Sequence, residues 1–372
     1  MGEVNLLNFT IGPVMTWDEI LSVSANQVPY FRTPEFSKIM LDNEKMMLNY
    51  SGAPENSRCA FLTGSGSMGM EAAVTNFLSE KDRVLIINGG SFGQRFVELC
   101  EHHHISYIDI QLSLGEALTV DKLECEDGSQ FSALLINMHE TSTGVLYDMK
   151  LVADYCKRYG LFLIVDAISS FMADWVDMTE LGIDVMITSS QKAFACAPGI
   201  TMITMSSRAI SRLNEIICSN VYMDLKLALS NGERGQTPFT PAVLTLLQIN
   251  KRLHMVDSRG GMTGECKRVG EIADYFRNKI VDLPLENVSH SLSNAVTALH
   301  PTNGQSAKEV CDKLKDKYGI WVCPNGGSMA DYMFRVGHIG NISFEDIDKL
   351  VEALNEYMSY NGQMFISRGN GG

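Results

Sequence analysis

An α/β fold with a mostly parallel sheet is what the middle of this chain predicts, on three observations. Short runs rich in Val, Ile and Leu recur between about Cys59 and Met205. Amphipathic helical patterns separate them. The runs are apolar on successive residues rather than on alternate ones, as strands covered on both faces must be.

The elements follow in order. The segment "SMGMEAAVTNFL" reads as a helix, and "RVLIING" (83–89) as a buried strand. "SFGQRFVELCEHH" (91–103) has helical periodicity, and "SALLINM" (132–138) is the next strand. "DMKLVADYCKRYG" (148–160) starts at an Asp, ends at a Gly and carries basic residues in its last turn, the polarity of a capped helix. "LFLIVDA" (161–167), "DVMITSS" (184–190) and "GITMITM" (199–205) complete the strands. After "GQTPFTPAV" (235–243) the pattern changes to a long helical stretch over roughly 242–280. Then come "AVTALHP" (295–301), a helix at 307–318, "YMFRVGHIG" (332–340) and a helix near 344–358, a smaller α+β unit. The expected division is a large domain over 15–250 and a small one over 251–365, joined by an N-terminal arm, 1–14, with a frayed tail "SRGNGG".

Composition narrows the partners. Of 372 residues, 45% are hydrophobic and 20% charged, the mix of a globular chain, and the net charge of −14 argues against nucleic acid or an anionic membrane. No apolar run has the length of a membrane span, and no secretory leader is expected. The nine cysteines are odd in number and form no C-x-x-C pair, which suits reduced thiols in a cytoplasm and no metal site. "EHHHIS" (101–106) looks metal-like, but neighbouring helical positions point apart.

The chemistry starts at "FLTGSGSMGMEA" (61–72), where "GSGSMG" satisfies G-x-G-x-x-G. A dinucleotide site also needs an acidic residue about twenty positions on, and the strand there ends in Asn88-Gly89-Gly90. That reading is therefore rejected. What remains is a helix N-terminus with hydroxyls on Thr63, Ser65 and Ser67, which suits a smaller phosphate. The plainer alternative is an ordinary N-cap made by Ser67. Lys192 in "SSQKAFACAPG" follows a buried strand, where α/β folds place ligands, and desolvation there would suit it to Schiff-base chemistry. Asp166 ends the apolar strand "IVD" and needs a cationic partner or a capping role. A Lys imine together with an Asp on a pyridinium nitrogen is the pairing that pyridoxal phosphate uses.

With those residues in place the chain resembles the class V aminotransferases, fold-type I enzymes of pyridoxal phosphate. It is most similar to the branch with alanine–glyoxylate, serine–pyruvate and 2-aminoethylphosphonate–pyruvate aminotransferases. "PYFRTPEF", "TGSGSMGMEAA", "NGGSFGQR", "HETSTG", "VDAISS", "SSQKA" and "QTPFTP" carry the likeness, which runs from "FTIGPV" to "FRVGHIG". It implies a sheet of the seven-stranded type and the following roles. Lys192 would form the Schiff base and move the substrate proton. Asp166 would hold the ring nitrogen protonated. Ser65, Gly66 and Ser67 would bind the cofactor phosphate, with Gln191 as a further donor and Thr237 (or Thr240) reaching it from a partner subunit, so that the active unit is a homodimer. Phe92 would stack on the ring, Ile168 would pack on its other face, and Thr141 would bond near the phenolic oxygen. Arg335 would bind a substrate carboxylate, beside Gly12 and Pro13 of the N-terminal arm; Arg32 has no assigned role. The resemblance implies a ping-pong transfer from a small amino donor, 2-aminoethylphosphonate being the narrower choice, to pyruvate or glyoxylate. A lyase or desulfurase on the same fold is the rival, and a non-catalytic binding module the third reading; Cys196 reads as packing.

Overall fold

The structure is a computed structural model and describes residues 6–368; residues 1–5 of the expected arm and 369–372 of the tail lie outside the described residues. A seven-stranded sheet runs in the spatial order Arg58–Thr63, Ile200–Met205, Val185–Ser189, Phe162–Asp166, Ala133–Asn137, Arg83–Asn88, Ser106–Gln111. The last five strands in that order pair in parallel. Ile200–Met205 is antiparallel to both its neighbours, because the chain returns from Ser189 too quickly for a crossover.

Side chains explain why the sheet is buried. Leu85, Ile87, Leu134, Ile136, Leu163 and Val165 enter one core, while Val84, Ile86, Leu135, Phe162 and Ile164 enter another on the opposite face. Both sets must be apolar, and the period of two is lost from the sequence. The helix Met149–Tyr159 begins where the Asp148 carboxylate accepts from the Lys150 and Leu151 N–H groups. It ends at Gly160, whose φ of 68° is left-handed.

Two strands escape a search for apolar runs. Ser106–Gln111 ("SYIDIQ") is an edge strand with exposed polar residues at both ends. Arg58–Thr63 precedes the glycine-rich loop directly. The helical stretch near 242–280 is two helices, Val243–Ser258 and Gly261–Lys279, broken at Gly260 and Gly261, whose φ values are 95° and 67°. The terminal helix runs on to Arg368.

A second, five-stranded sheet combines Leu7–Phe9, Ile320–Pro324, Phe334–Gly337, Val296–Pro301 and Leu285–Asn287. Its first strand comes from the N-terminal arm and lies parallel to Ile320–Val322. The arm then continues across the mouth of the large sheet. Between the two long helices, Arg252 and Glu265 form a buried ion pair, with the Arg252 guanidinium 4.1 Å from the centre of the Trp17 ring.

Candidate active site

The parallel strands all deliver their C-terminal ends to one edge of the sheet, where α/β folds bind ligands. There Ser65, Gly66, Ser67, Phe92, Thr141, Asp166, Ile168, Gln191 and Lys192 line one cavity of about 140 Å³, together with Met70, Arg95 and Ser169.

Its floor is the start of the helix Gly66–Phe77, whose N-cap residue is Ser65. No side chain caps this helix. The expected alternative of a Ser67 cap is therefore wrong: the Ser67 hydroxyl instead accepts from Arg95 at 2.8 Å. Thr63 is also lost to the loop, since its hydroxyl accepts the Ala242 N–H. A second helix, Ser91–His102, starts nearby, but its first N–H groups are taken. The buried Glu140 carboxylate accepts from Phe92 N at 3.2 Å and Gly93 N at 3.0 Å. Of these two helix starts, only the first offers its dipole and uncapped backbone donors to an anion. Gly66 is fixed by space, because a β-carbon there would lie 2.5 Å from Ile168 Cδ1.

Asp166 is 5% exposed. One carboxylate oxygen accepts the Ile168 N–H at 2.8 Å, a capping contact that leaves the second oxygen without a partner among the described residues. Burial pushes its pKa up to about 7, against the pull of the Ile168 N–H and Lys192. The Lys192 amine has no ion pair or hydrogen bond among the described residues, although its carbonyl accepts the Ala195 N–H. Burial brings its pKa down to about 8, with Arg335 and Arg95 pushing the same way. Gly12, at φ 127°, lies directly on it: a β-carbon there would be 2.8 Å from Lys192 Cδ and from the Gln191 carbonyl. The Pro13 carbonyl accepts from Asn8 and Thr10, which pins the arm in place. The Gln191 side-chain oxygen accepts from the Ser189 hydroxyl, which leaves its amide nitrogen free to donate in the cavity that Gln191 lines.

Phe92 is not a core residue. It lines both this cavity and an adjoining groove, and Arg95 sits 5.1 Å from its ring centre. Arg95 has no role in the sequence reading; its signal is that it lies one helical turn from Phe92. Arg335 lines the groove rather than the cavity. It donates to the Thr141 carbonyl at 3.0 Å and to the Pro324 carbonyl at 2.9 Å, and its Nε has no partner among the described residues.

Two expected residues lie elsewhere. Thr237 is buried with its hydroxyl on the Phe239 carbonyl, and it does not line this chain's cavity. Arg32 donates to Gln236, Thr237 and Pro238, so its work is to tie the "QTPFTP" segment to the start of the helix Pro34–Tyr50. Cys196 is buried and burial raises its pKa to about 12, the state of an inert packing thiol. His103 of the histidine run pairs with Glu71 at 3.1 Å.

The donor set fits pyridoxal phosphate: an uncapped helix start with Arg95 for the phosphate, an orphan carboxylate oxygen for a ring N–H, and an unpaired, partly neutral amine for an aldehyde. Comparison with known proteins agrees. The sequence pattern of the family described as aminotransferase class-V matches residues 24–350. The 42 kDa subunit of a soluble hydrogenase from Anabaena cylindrica is 29% identical over 97% of this chain and 95% of its own. A 2-aminoethylphosphonate–pyruvate transaminase of Phocaeicola vulgatus is 28% identical over 79% of this chain and 82% of its own. The crystal structure of an alanine–glyoxylate aminotransferase from Nostoc sp. has the same fold, with a TM-score of 0.88, 24% identity and 94% of each chain covered. The chain belongs to the class V aminotransferases, a family of pyridoxal-phosphate transaminases that work on an amino donor and a 2-oxo acid.

Proposed function

We propose that this class V aminotransferase moves nitrogen from a small amino donor to pyruvate or a similar 2-oxo acid, with Lys192 as the acid–base group. The observation that carries the reading is the unpaired Lys192 amine facing the same cavity as Asp166 and the uncapped helix start. Bound pyridoxal phosphate supplies a carbonyl that takes up the amine and a ring that accepts electrons. The protein does the rest. The helix start and Arg95 hold the phosphate, and Asp166 keeps a proton on the ring nitrogen. That arrangement relieves Asp166 as well, because a cation beside its orphan oxygen offsets the burial that raises its pKa. Lys192, held down to about 8, is neutral in part near physiological pH and can take the proton from the substrate carbon.

Arg335 sets the substrate. Two backbone carbonyls fix its plane, and a fixed guanidinium binds a carboxylate in bidentate fashion. One anchored cation suits an oxo acid of one carboxylate in the acceptor step. In the donor step it suits an amine with one anionic group, of which 2-aminoethylphosphonate is the narrower candidate. The relative from Phocaeicola vulgatus supports that donor. The working unit is a homodimer. Ile217 at 92%, Val221 at 70% and Tyr30 at 68% exposure leave apolar surface open, and the absence of Thr237 from the lining of its own cavity supports a role for it at a partner's. Its nine cysteines carry no disulfide, which supports a reducing cytoplasm.

A donor panel tests the substrate. Holoenzyme is mixed with 2-aminoethylphosphonate, L-alanine, L-serine or L-aspartate, without acceptor, and loss of cofactor colour is followed. One donor should bleach it, and pyruvate or glyoxylate should restore it. Sulfide release, or turnover without an oxo acid, contradicts the transaminase reading and favours a lyase.

A further inference from the structure

We infer that His139 anchors a hydrogen-bond relay, through Ser169 to Thr141, that fixes the Thr141 hydroxyl as a donor into the Lys192 cavity. The inference rests on the reading above that the Thr141 hydroxyl meets the phenolic oxygen of the cofactor.

The geometry is a buried row of three side chains. His139 Nδ1 lies 2.9 Å from Ser169 Oγ, and Ser169 Oγ lies 2.7 Å from Thr141 Oγ1. Thr141 and Ser169 line the cavity, while His139 stands behind them and is 2% exposed. Both hydroxyls are also 3.5 Å from the His139 carbonyl, at the limit of a useful bond. The short contacts therefore decide how the protons are arranged.

Polarity follows from the other ring nitrogen. His139 Nε2 is buried and has no partner among the described residues. Burial, with the positive charges of Lys192, Arg335 and Arg277 around it, lowers the ring's pKa to about 3, so it carries one N–H. No carboxylate competes for that N–H: among the described residues the only hydrogen-bond partner of the ring is Ser169. A proton on Nε2 would be a buried donor without an acceptor, which costs more than a bare lone pair. The proton therefore sits on Nδ1. Donation runs from His139 to Ser169, from Ser169 to Thr141, and from Thr141 into the cavity. With the opposite tautomer, Thr141 would present lone pairs to an anionic oxygen. His139 touches no substrate; it is a positioning residue that sets the direction of a bond two residues away.

Two measurements test this. In the protein without cofactor, the ¹⁵N resonances of the His139 ring, assigned by their loss in His139→Asn, should show a protonated Nδ1 and a bare Nε2. A protonated Nε2 overturns the relay. In the holoenzyme, the pH midpoint of the cofactor's colour change reports on the phenolic oxygen. A donor there favours loss of the proton from the adjoining nitrogen, so removing it moves the midpoint up. Ser169→Ala and His139→Leu should each raise it by about one pH unit, in the direction given by Thr141→Val. His139→Asn, whose amide nitrogen takes the place of Nδ1, should restore it, which a merely space-filling His139 would not explain. An unmoved midpoint in folded His139→Leu, with Thr141→Val displaced, overturns the relay. If Thr141→Val itself moves nothing, the placement of Thr141 at the phenolic oxygen fails, and the ring tautomer alone decides the relay.

Discussion

The Arg95 guanidinium donates to the Ser67 hydroxyl at 2.8 Å, across the gap between two helix starts. One of those starts is capped by Glu140 and the other is left uncapped. The pair thus places a cation beside the only one of the two helix ends that can receive a phosphate. Arg95→Met keeps the side chain's bulk near Phe92 and removes the charge. Its dissociation constant for pyridoxal phosphate, measured by fluorescence titration, should rise roughly 10- to 100-fold, the worth of a charge-assisted hydrogen bond. A change within about twofold would remove Arg95 from the phosphate site.

Gly66 is tested by space rather than charge. Gly66→Ala puts a methyl against Ile168 Cδ1, so cofactor affinity should fall. Ile168→Val removes that Cδ1 atom, and the double variant should regain part of the loss. If the double variant binds no better than Gly66→Ala alone, the crowding is not with Ile168.

The state of Lys192 predicts a pH profile. Only the neutral amine attacks an aldehyde. With its pKa lowered to about 8, the rate of cofactor capture should climb about tenfold per pH unit below pH 8 and level off above it. The climb should be over well before an ordinary lysine titrates. A rate still rising at pH 10 means that Lys192 is not desolvated.

How much of this was legible in the sequence depended on what each residue answers to. Lys192 and Asp166 stand at the ends of continuous apolar strands, so both position and chemistry showed in "SSQKA" and "IVDA". Helix Met149–Tyr159 announced its own ends through Asp148 and Gly160. Arg95 and Ser169 did not stand out, because each matters through a neighbour from a different element. The Ser67 cap, the plainer alternative in the sequence, gives way for the same reason: its hydroxyl answers to Arg95, not to its own helix. Strand Ser106–Gln111 was hidden because an edge position lets half its residues be polar.

Stability has its own weak point in the Arg252–Glu265 pair, which is almost fully buried. Glu265→Gln leaves the guanidinium without its counter-charge. Denaturant unfolding should show a loss of about 3–5 kcal/mol. Replacing both residues together with apolar ones should cost less than that single change, and equal losses would argue against a desolvated pair.

The central claim is that Lys192 carries the cofactor, and borohydride trapping tests it most directly. Reduction of the holoenzyme followed by peptide mass mapping should find the pyridoxyl adduct on the peptide containing Lys192, and Lys192→Ala should yield no such adduct and no transamination. An adduct on a different lysine, or parental turnover by Lys192→Ala, would contradict the account.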